Sequence, residues 1–175
     1  MEEQIFLARV AEQAEKFEDM VGFLTQAIAQ KNGEDFTVDE RNLLSVGFKN
    51  LIGSSRGAIR TIGAIEQNPK YEKFSGALGS YKKSIEADLQ GQCMKIVGIV
   101  KSSCVPLASD DESNAFFYKM IGDYYRYAAE SADAASLEEV KSGAIQGYNE
   151  ADAKAGALNA CNPIRLGLAL NFSVF

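Results

Sequence analysis

Apolar residues recur along this chain in alternating steps of three and four, a rhythm that an α-helix buries on one side and a strand cannot. Leu7, Val10, Ala14, Phe17, Val21, Leu24 and Ile28 form the first such stripe, which predicts one long or two consecutive amphipathic helices. After the turn-rich segment KNGED, Thr37-Val-Asp-Glu40 has the capping-box pattern, so a helix should run from Val38 until Asn68-Pro69 stops it. Tyr71, Phe74, Leu78, Tyr81, Ile85 and Leu89 repeat the stripe as far as the break at Pro106. Ser109 to Glu112 and Ser136 to Glu139 present the box pattern twice more, and Asn162-Pro163 reads as an N-cap followed by proline at the first helical position. These signals predict an all-α chain of seven helices, joined by short connections and packed antiparallel in one bundle or superhelix. Its 175 residues suit a single domain over 1–175. The last helix is apolar nearly all round and reaches Phe175 without a glycine, a basic last turn or a polar cap. The expectation is a domain that stops inside its seventh helix, with later helices covering that face.

Composition removes several classes of function. The chain has no histidine, so neither a Ser-His-Asp nor a Cys-His pair can be built, and the commonest transition-metal ligand is missing. No metal or other cofactor is expected. Lys and Arg total 18 against 24 Asp and Glu, a net charge of −6 that repels nucleic acid and anionic lipid. Cys93, Cys104 and Cys161 are odd in number and widely spaced, which predicts reduced, buried thiols in a cytoplasmic protein. No segment is long and apolar enough for a signal peptide or a bilayer span, so membrane insertion is not expected.

Two basic pairs stand out against the acidic background, Lys49 with Arg56 and Lys119 with Arg126, each spaced by seven. Seven residues are nearly two turns, about 10 Å along the axis, so the members of each pair share a face. Tyr127 adds a phenolic donor next to Arg126. With the two helices side by side, Lys49, Arg56, Arg126 and Tyr127 can converge on one dianionic group such as a phosphate ester. The same spacing is also compatible with solvated surface charges paired with Asp123, Glu66 or Glu130.

Long ungapped blocks carry a resemblance that separates these readings. ERNLLSVGFKNLIG (40–53), SSRGAIR (54–60), FFYKMIGDYYRYAAE (116–130) and NPIRLGLALNFSVF (162–175) resemble 14-3-3 proteins, and AEQAEKFEDM (11–20) matches as well. The resemblance implies an antiparallel helical fold with seven of nine helices present, no catalytic activity, and an amphipathic groove that clamps phosphoserine- or phosphothreonine-containing client proteins. It also implies a homodimer, or a heterodimer with a related subunit. Carried over by position, it sets the phosphate on Lys49, Arg56, Arg126 and Tyr127, with Lys119 flanking. The peptide groove is continued by Gly167, Leu170, Asn171 and Val174, which share one helical stripe. For Leu170 and Val174 taken alone, plain core packing is an open alternative.

The resemblance further implies a dimer interface at Val10, Ala14, Lys16, Ala58, Ile62, Tyr81 and Asp88, with Lys16 and Asp88 as an opposite-charge pair. Ser84 stands where the family usually has a lysine facing the acid at Asp19, so one intersubunit ion pair is in doubt. Ser55, Ile59 and Ile121 replace residues that are commonly arginine, tryptophan and lysine, implying a less basic groove. An alternative is a divergent helical scaffold that keeps the fold but takes unphosphorylated or acidic segments.

Overall fold

A computed structural model describes residues 1–175. Seven α-helices account for the fold: α1 (Glu2–Gln13), α2 (Phe17–Ala29), α3 (Val38–Glu66), α4 (Ser75–Ile99), α5 (Asp111–Ala129), α6 (Leu137–Ala155) and α7 (Pro163–Val174). Short 3-10 turns at Pro69–Phe74 and Val105–Leu107 and a π turn at Val100–Cys104 join them, and there is no strand. The first stripe thus becomes two helices, separated by a turn in which Glu15 adopts φ 55°.

Of the three capping boxes read from the sequence, one forms. Thr37 Oγ1 accepts from the Glu40 amide at 3.2 Å, and the Thr37 amide donates to Glu40 Oε2 at 2.7 Å. At the second, Ser109 gives way to Asp110, whose carboxylate accepts the Ser113 amide at 2.7 Å. Ser109 is drawn off instead to Asp35, donating both its amide and its hydroxyl to Oδ2 at 2.7 and 2.8 Å. At the third, Ser136 flanks α6 without a side-chain cap because its hydroxyl turns back to Asp133 Oδ1 at 2.6 Å. Asn162 caps α7 as expected, accepting from the Ile164 amide at 2.8 Å.

Each helix packs on the next along the chain, and α7 lies against both α5 and α6. One core of 25 buried residues draws on α1 to α6; a second, of Ala115, Tyr148, Ala151, Ala155 and Leu168, lies where α5, α6 and α7 meet. The α5–α6 seam is the tightest. A Cβ on Gly122 would lie 2.6 Å from the Tyr148 ring, and one on Gly147 would lie 2.7 Å from the Gly122 backbone nitrogen. Only hydrogen at both positions lets the helices approach this closely.

Two polar clusters tie the ends of the helices together. Buried Lys31, at the end of α2, pairs with Glu40 at 2.8 Å and so fastens α2 to the first turn of α3. Buried Arg41 donates to Ser113 and, at 2.8 Å, to Glu112, which also accepts from Asn162 at 3.2 Å. The α7 N-cap is thereby linked through α5 to α3. Burial pushes the Asp35 and Glu40 carboxyls up, but hydrogen bonds from Ser109 to Asp35 and from Lys31 to Glu40 outweigh it and leave both below their ordinary values. With the folded-state value the lower one, the stability each contributes is present above its unfolded value and is lost as pH falls through the folded one. The melting temperature should therefore stay level from neutrality to about pH 5 and fall below about pH 4. Asp35→Asn and Glu40→Gln should each flatten that acid limb in a pH series of thermal melts.

Candidate functional site

The long helix α3 carries Ser45, Lys49 and Arg56 on one face, and α5 carries Lys119, Asp123, Arg126 and Tyr127. Residues 119, 123, 126 and 130 follow the helical three-four spacing, so one stripe of α5 alternates cation and carboxylate. Between these helices and α7 lies a cleft of about 250 Å³, lined by Ser45, Lys49, Phe116, Lys119, Met120, Asp123, Tyr124, Tyr127 and Asn171.

At one end of the cleft the two arginines meet at Glu130. Arg56 grips that carboxylate with two nitrogens, Nε at 3.1 Å and Nη2 at 2.9 Å, while Arg126 Nη1 approaches it at 3.6 Å. The guanidinium centres of Arg56 and Arg126 lie 4.1 and 4.5 Å from the Tyr127 ring centroid, so Tyr127 holds the two like charges near each other through its π-electrons. Burial, helped by the charge of Asp123, pushes the Tyr127 phenol up, and its hydroxyl remains a donor at neutral pH. Lys49 is exposed and shares the cleft with Tyr127 but takes no part in these ion pairs.

Asp123 organises a second cluster behind Arg126. Its buried carboxylate accepts from Lys119 at 2.8 Å, Tyr148 at 2.8 Å and Asn171 at 2.7 Å, so the charge is fully satisfied. Because Asn171 donates through Nδ2, its amide oxygen is left to accept an N–H from elsewhere. Gly167 of α7 faces the stem of Lys119, where an added Cβ would make ordinary contact at 3.4 Å with Lys119 Cε. Four cations around the cleft, Lys49, Arg56, Lys119 and Arg126, face two carboxylates, Asp123 and Glu130, leaving a surplus of two positive charges in a chain of net charge −6.

Comparison with known proteins decides what kind of protein builds this cleft. The family model described as 14-3-3 protein matches residues 7–175. The chain belongs to the 14-3-3 family. It is 42% identical over 178 residues to a 14-3-3-like protein of Pisum sativum, covering 99% of this chain and 68% of that protein. 14-3-3 protein 5 of Solanum lycopersicum is also 42% identical, with 99% and 70% covered. For 14-3-3-like protein GF14 omega of Arabidopsis thaliana the identity is 41%, with 99% and 69% covered. The 14-3-3 proteins are non-enzymatic adaptors that bind client proteins and form dimers, and the all-helical fold agrees with that membership. No helix is long and apolar enough to cross a membrane.

Arg56, Arg126 and Tyr127 come together, and Lys49, Lys119 and Asn171 line the adjoining cleft. Of the three counter-charges suggested, Asp123 and Glu130 are used, whereas Glu66 turns away to Lys82 at 2.9 Å. Leu170 and Val174 are 65% and 71% exposed, so within this chain they are not core residues. Ile121 does not make the groove less basic: it is buried in the core, two residues and therefore about 200° around the helix from Lys119. Ile59 packs against the core and Ser55 is half-buried.

Val10, Ala14, Lys16, Asp88 and Tyr81 are exposed, Tyr81 by 62%, and Ala58 is half-buried. Ile62 is already buried within one chain and has little surface left to offer a partner. Cys93 and Cys104 are buried, and burial pushes both thiols up to about 12, which leaves them un-ionised and poorly nucleophilic. Cys161, expected to be buried, is exposed beside the α7 cap. Tyr148 is the site residue that sequence reasoning missed, and no local pattern marks it.

Proposed function

We propose that this chain is a phosphoserine- or phosphothreonine-dependent adaptor whose residues 1–175 form a single 14-3-3-like domain. It clamps client segments in the cleft and acts as a dimer with a second copy or a related subunit. In this reading Lys49, Arg56, Arg126 and Tyr127 hold the phosphate. Lys119 flanks it, Asn171 takes a backbone N–H of the peptide, and Gly167, Leu170 and Val174 supply the apolar wall. The dimer contact falls on Val10, Ala14, Lys16, Ala58, Tyr81 and Asp88, with Ile62 beneath it.

The surplus of two positive charges in an acidic chain is the observation that carries the reading, because it is opposite in sign and equal in size to the charge of a phosphate dianion. Magnitudes favour exchange of Glu130 for phosphate. The Arg56–Glu130 pair is partly exposed and so contributes under about 1 kcal/mol, and a phosphate dianion would bring twice the charge and a third acceptor oxygen to the same arginines. An aspartate or glutamate from an acidic client would exchange one carboxylate for another and gain little, which disfavours the scaffold alternative.

Fluorescence anisotropy with a labelled RSXpSXP-type peptide and its unphosphorylated twin tests this. The phosphorylated peptide is expected to bind at least about 100-fold more tightly, the equivalent of two charge-assisted bonds. Equal affinities would reject phosphate dependence.

A further inference from the structure

Tyr148 sits on α6, behind the cleft rather than in it, yet it touches both Arg126 and the Asp123 carboxylate that holds Lys119 and Asn171. Its ring is fully buried, stacks on Phe172 of α7 with centroids 5.1 Å apart, and is pressed against Gly122 of α5. Its hydroxyl accepts from Arg126 Nε at 3.0 Å and donates to Asp123 Oδ1 at 2.8 Å. That same Oδ1 takes the Asn171 amide at 2.7 Å, and Oδ2 takes Lys119 at 2.8 Å. A chain of hydrogen bonds therefore runs from a guanidinium on the basic wall, through one phenol and one carboxylate, to an amide on α7.

We propose that the Tyr148 hydroxyl is a positioning group for the cleft, fixing the direction of Arg126 and coupling it to Asn171. A guanidinium offers its donors in a planar fork, so occupying the Nε–H sets where the two remaining nitrogens point. With Nε held by Tyr148, Nη1 is turned toward Glu130 and the shared anion position. Without the hydroxyl, the half-buried guanidinium has an unsatisfied Nε–H and a buried carboxylate, Asp123, close behind it. The arrangement that recovers a hydrogen bond swings Arg126 back onto Asp123, away from the cleft, and displaces Asn171 and Lys119 from that carboxylate. Burial, reinforced by Asp123, pushes the Tyr148 phenol far above its ordinary value, so it keeps the proton it donates throughout the working pH range. The ring is held by packing on both sides, which gives the hydroxyl a fixed place to act from.

The effect on ligand rests on the phosphate-binding reading above; the orientation of Arg126 does not, and the test separates the two. Tyr148→Phe keeps the ring and its packing and removes only the hydroxyl. Peptide titrations compare wild type, Tyr148→Phe, Arg126→Ala and the double variant against phosphorylated and unphosphorylated peptide. In the ligand-free protein, NMR follows hydrogen exchange at the Arg126 Nε–H. Tyr148→Phe is expected to weaken the phosphorylated peptide about tenfold, to leave the unphosphorylated one unchanged, and to have less than a twofold effect once Arg126 is alanine. The Arg126 Nε–H is expected to be protected from exchange in wild type and unprotected in Tyr148→Phe. A fast-exchanging Nε–H in wild type overturns the proposal, whether or not the variant folds. An undiminished loss in the Arg126→Ala background overturns it too, since that would be a packing effect. Failure of the wild type to prefer phosphorylated peptide, with the Nε–H still protected, would reject the phosphate reading and leave the positioning role supported.

Discussion

Alanine at Arg126 is expected to lower affinity for a phosphorylated peptide by two orders of magnitude or more while leaving the unphosphorylated control unchanged. Beyond the Nε held by Tyr148 the residue has two guanidinium nitrogens, one of them 3.6 Å from Glu130, and each could make a charge-assisted bond of about 1.5–3 kcal/mol to a bound phosphate. Its removal also leaves Glu130 to Arg56 alone and takes a partner from Tyr148. Lys49→Glu should be as damaging by a different route. Reversing that charge cancels the positive surplus of the cleft without touching the hydrogen bonds among Arg56, Arg126 and Glu130. Anisotropy titrations of both variants at two salt concentrations check this, because the Lys49 effect acts through an exposed charge and should shrink as salt rises, while the Arg126 effect persists. Unchanged binding by both variants would place the phosphate elsewhere.

The largest effect on stability is expected at Gly147. A methyl group there would meet the Gly122 backbone nitrogen at 2.7 Å and its Cα at 2.9 Å, atoms that cannot swing aside as a side chain does. Overpacking of this kind costs about 3 kcal/mol, and the better helix propensity of alanine returns about 1 kcal/mol. Gly147→Ala should therefore lower stability by about 2 kcal/mol, a fall of about 4–8 °C in melting temperature for a chain of this size. Gly91, in α4 with nothing within 4 Å of its added Cβ, is the internal control. There the same substitution should raise stability by about 0.5–1 kcal/mol. Opposite signs at two helical glycines, read by calorimetry, would isolate the close α5–α6 approach as the cause.

Much of the fold could be read from the sequence because its signals are local. The stripes and the Thr37–Glu40 box depend on residues within one or two turns of each other; the box formed, and both stripes became helix, although the second is α-helical only from Ser75 and leaves Phe74 and Tyr81 exposed. The boxes at Ser109 and Ser136 failed because another acid outbid the helix for the serine: Asp35, 74 residues away, in one case and Asp133 in the other. The basic pairs were legible for the same reason as the stripes, since a spacing of seven fixes a shared face. What spacing could not supply was the set of groups that hold those bases in place. Glu130 and Asp123 could be named as counter-charges but not assigned to their separate partners, Arg56 and Arg126 for one and Lys119, Tyr148 and Asn171 for the other. Tyr148 reaches Arg126 only through α5–α6 packing, which no short-range pattern encodes. Ile121 shows the opposite failure, a residue read by correspondence as lining the groove although helix geometry turns it inward.

Glu130 changes what the two arginines offer to solvent. Two arginines left bare would seize chloride, bicarbonate or any stray carboxylate, and would repel each other besides. With an internal anion already seated between them, a singly charged visitor would gain little by exchange, so under the proposed reading the seat yields to a guest carrying a second charge. On that reading Glu130 is the protein's own guard against abundant small ions.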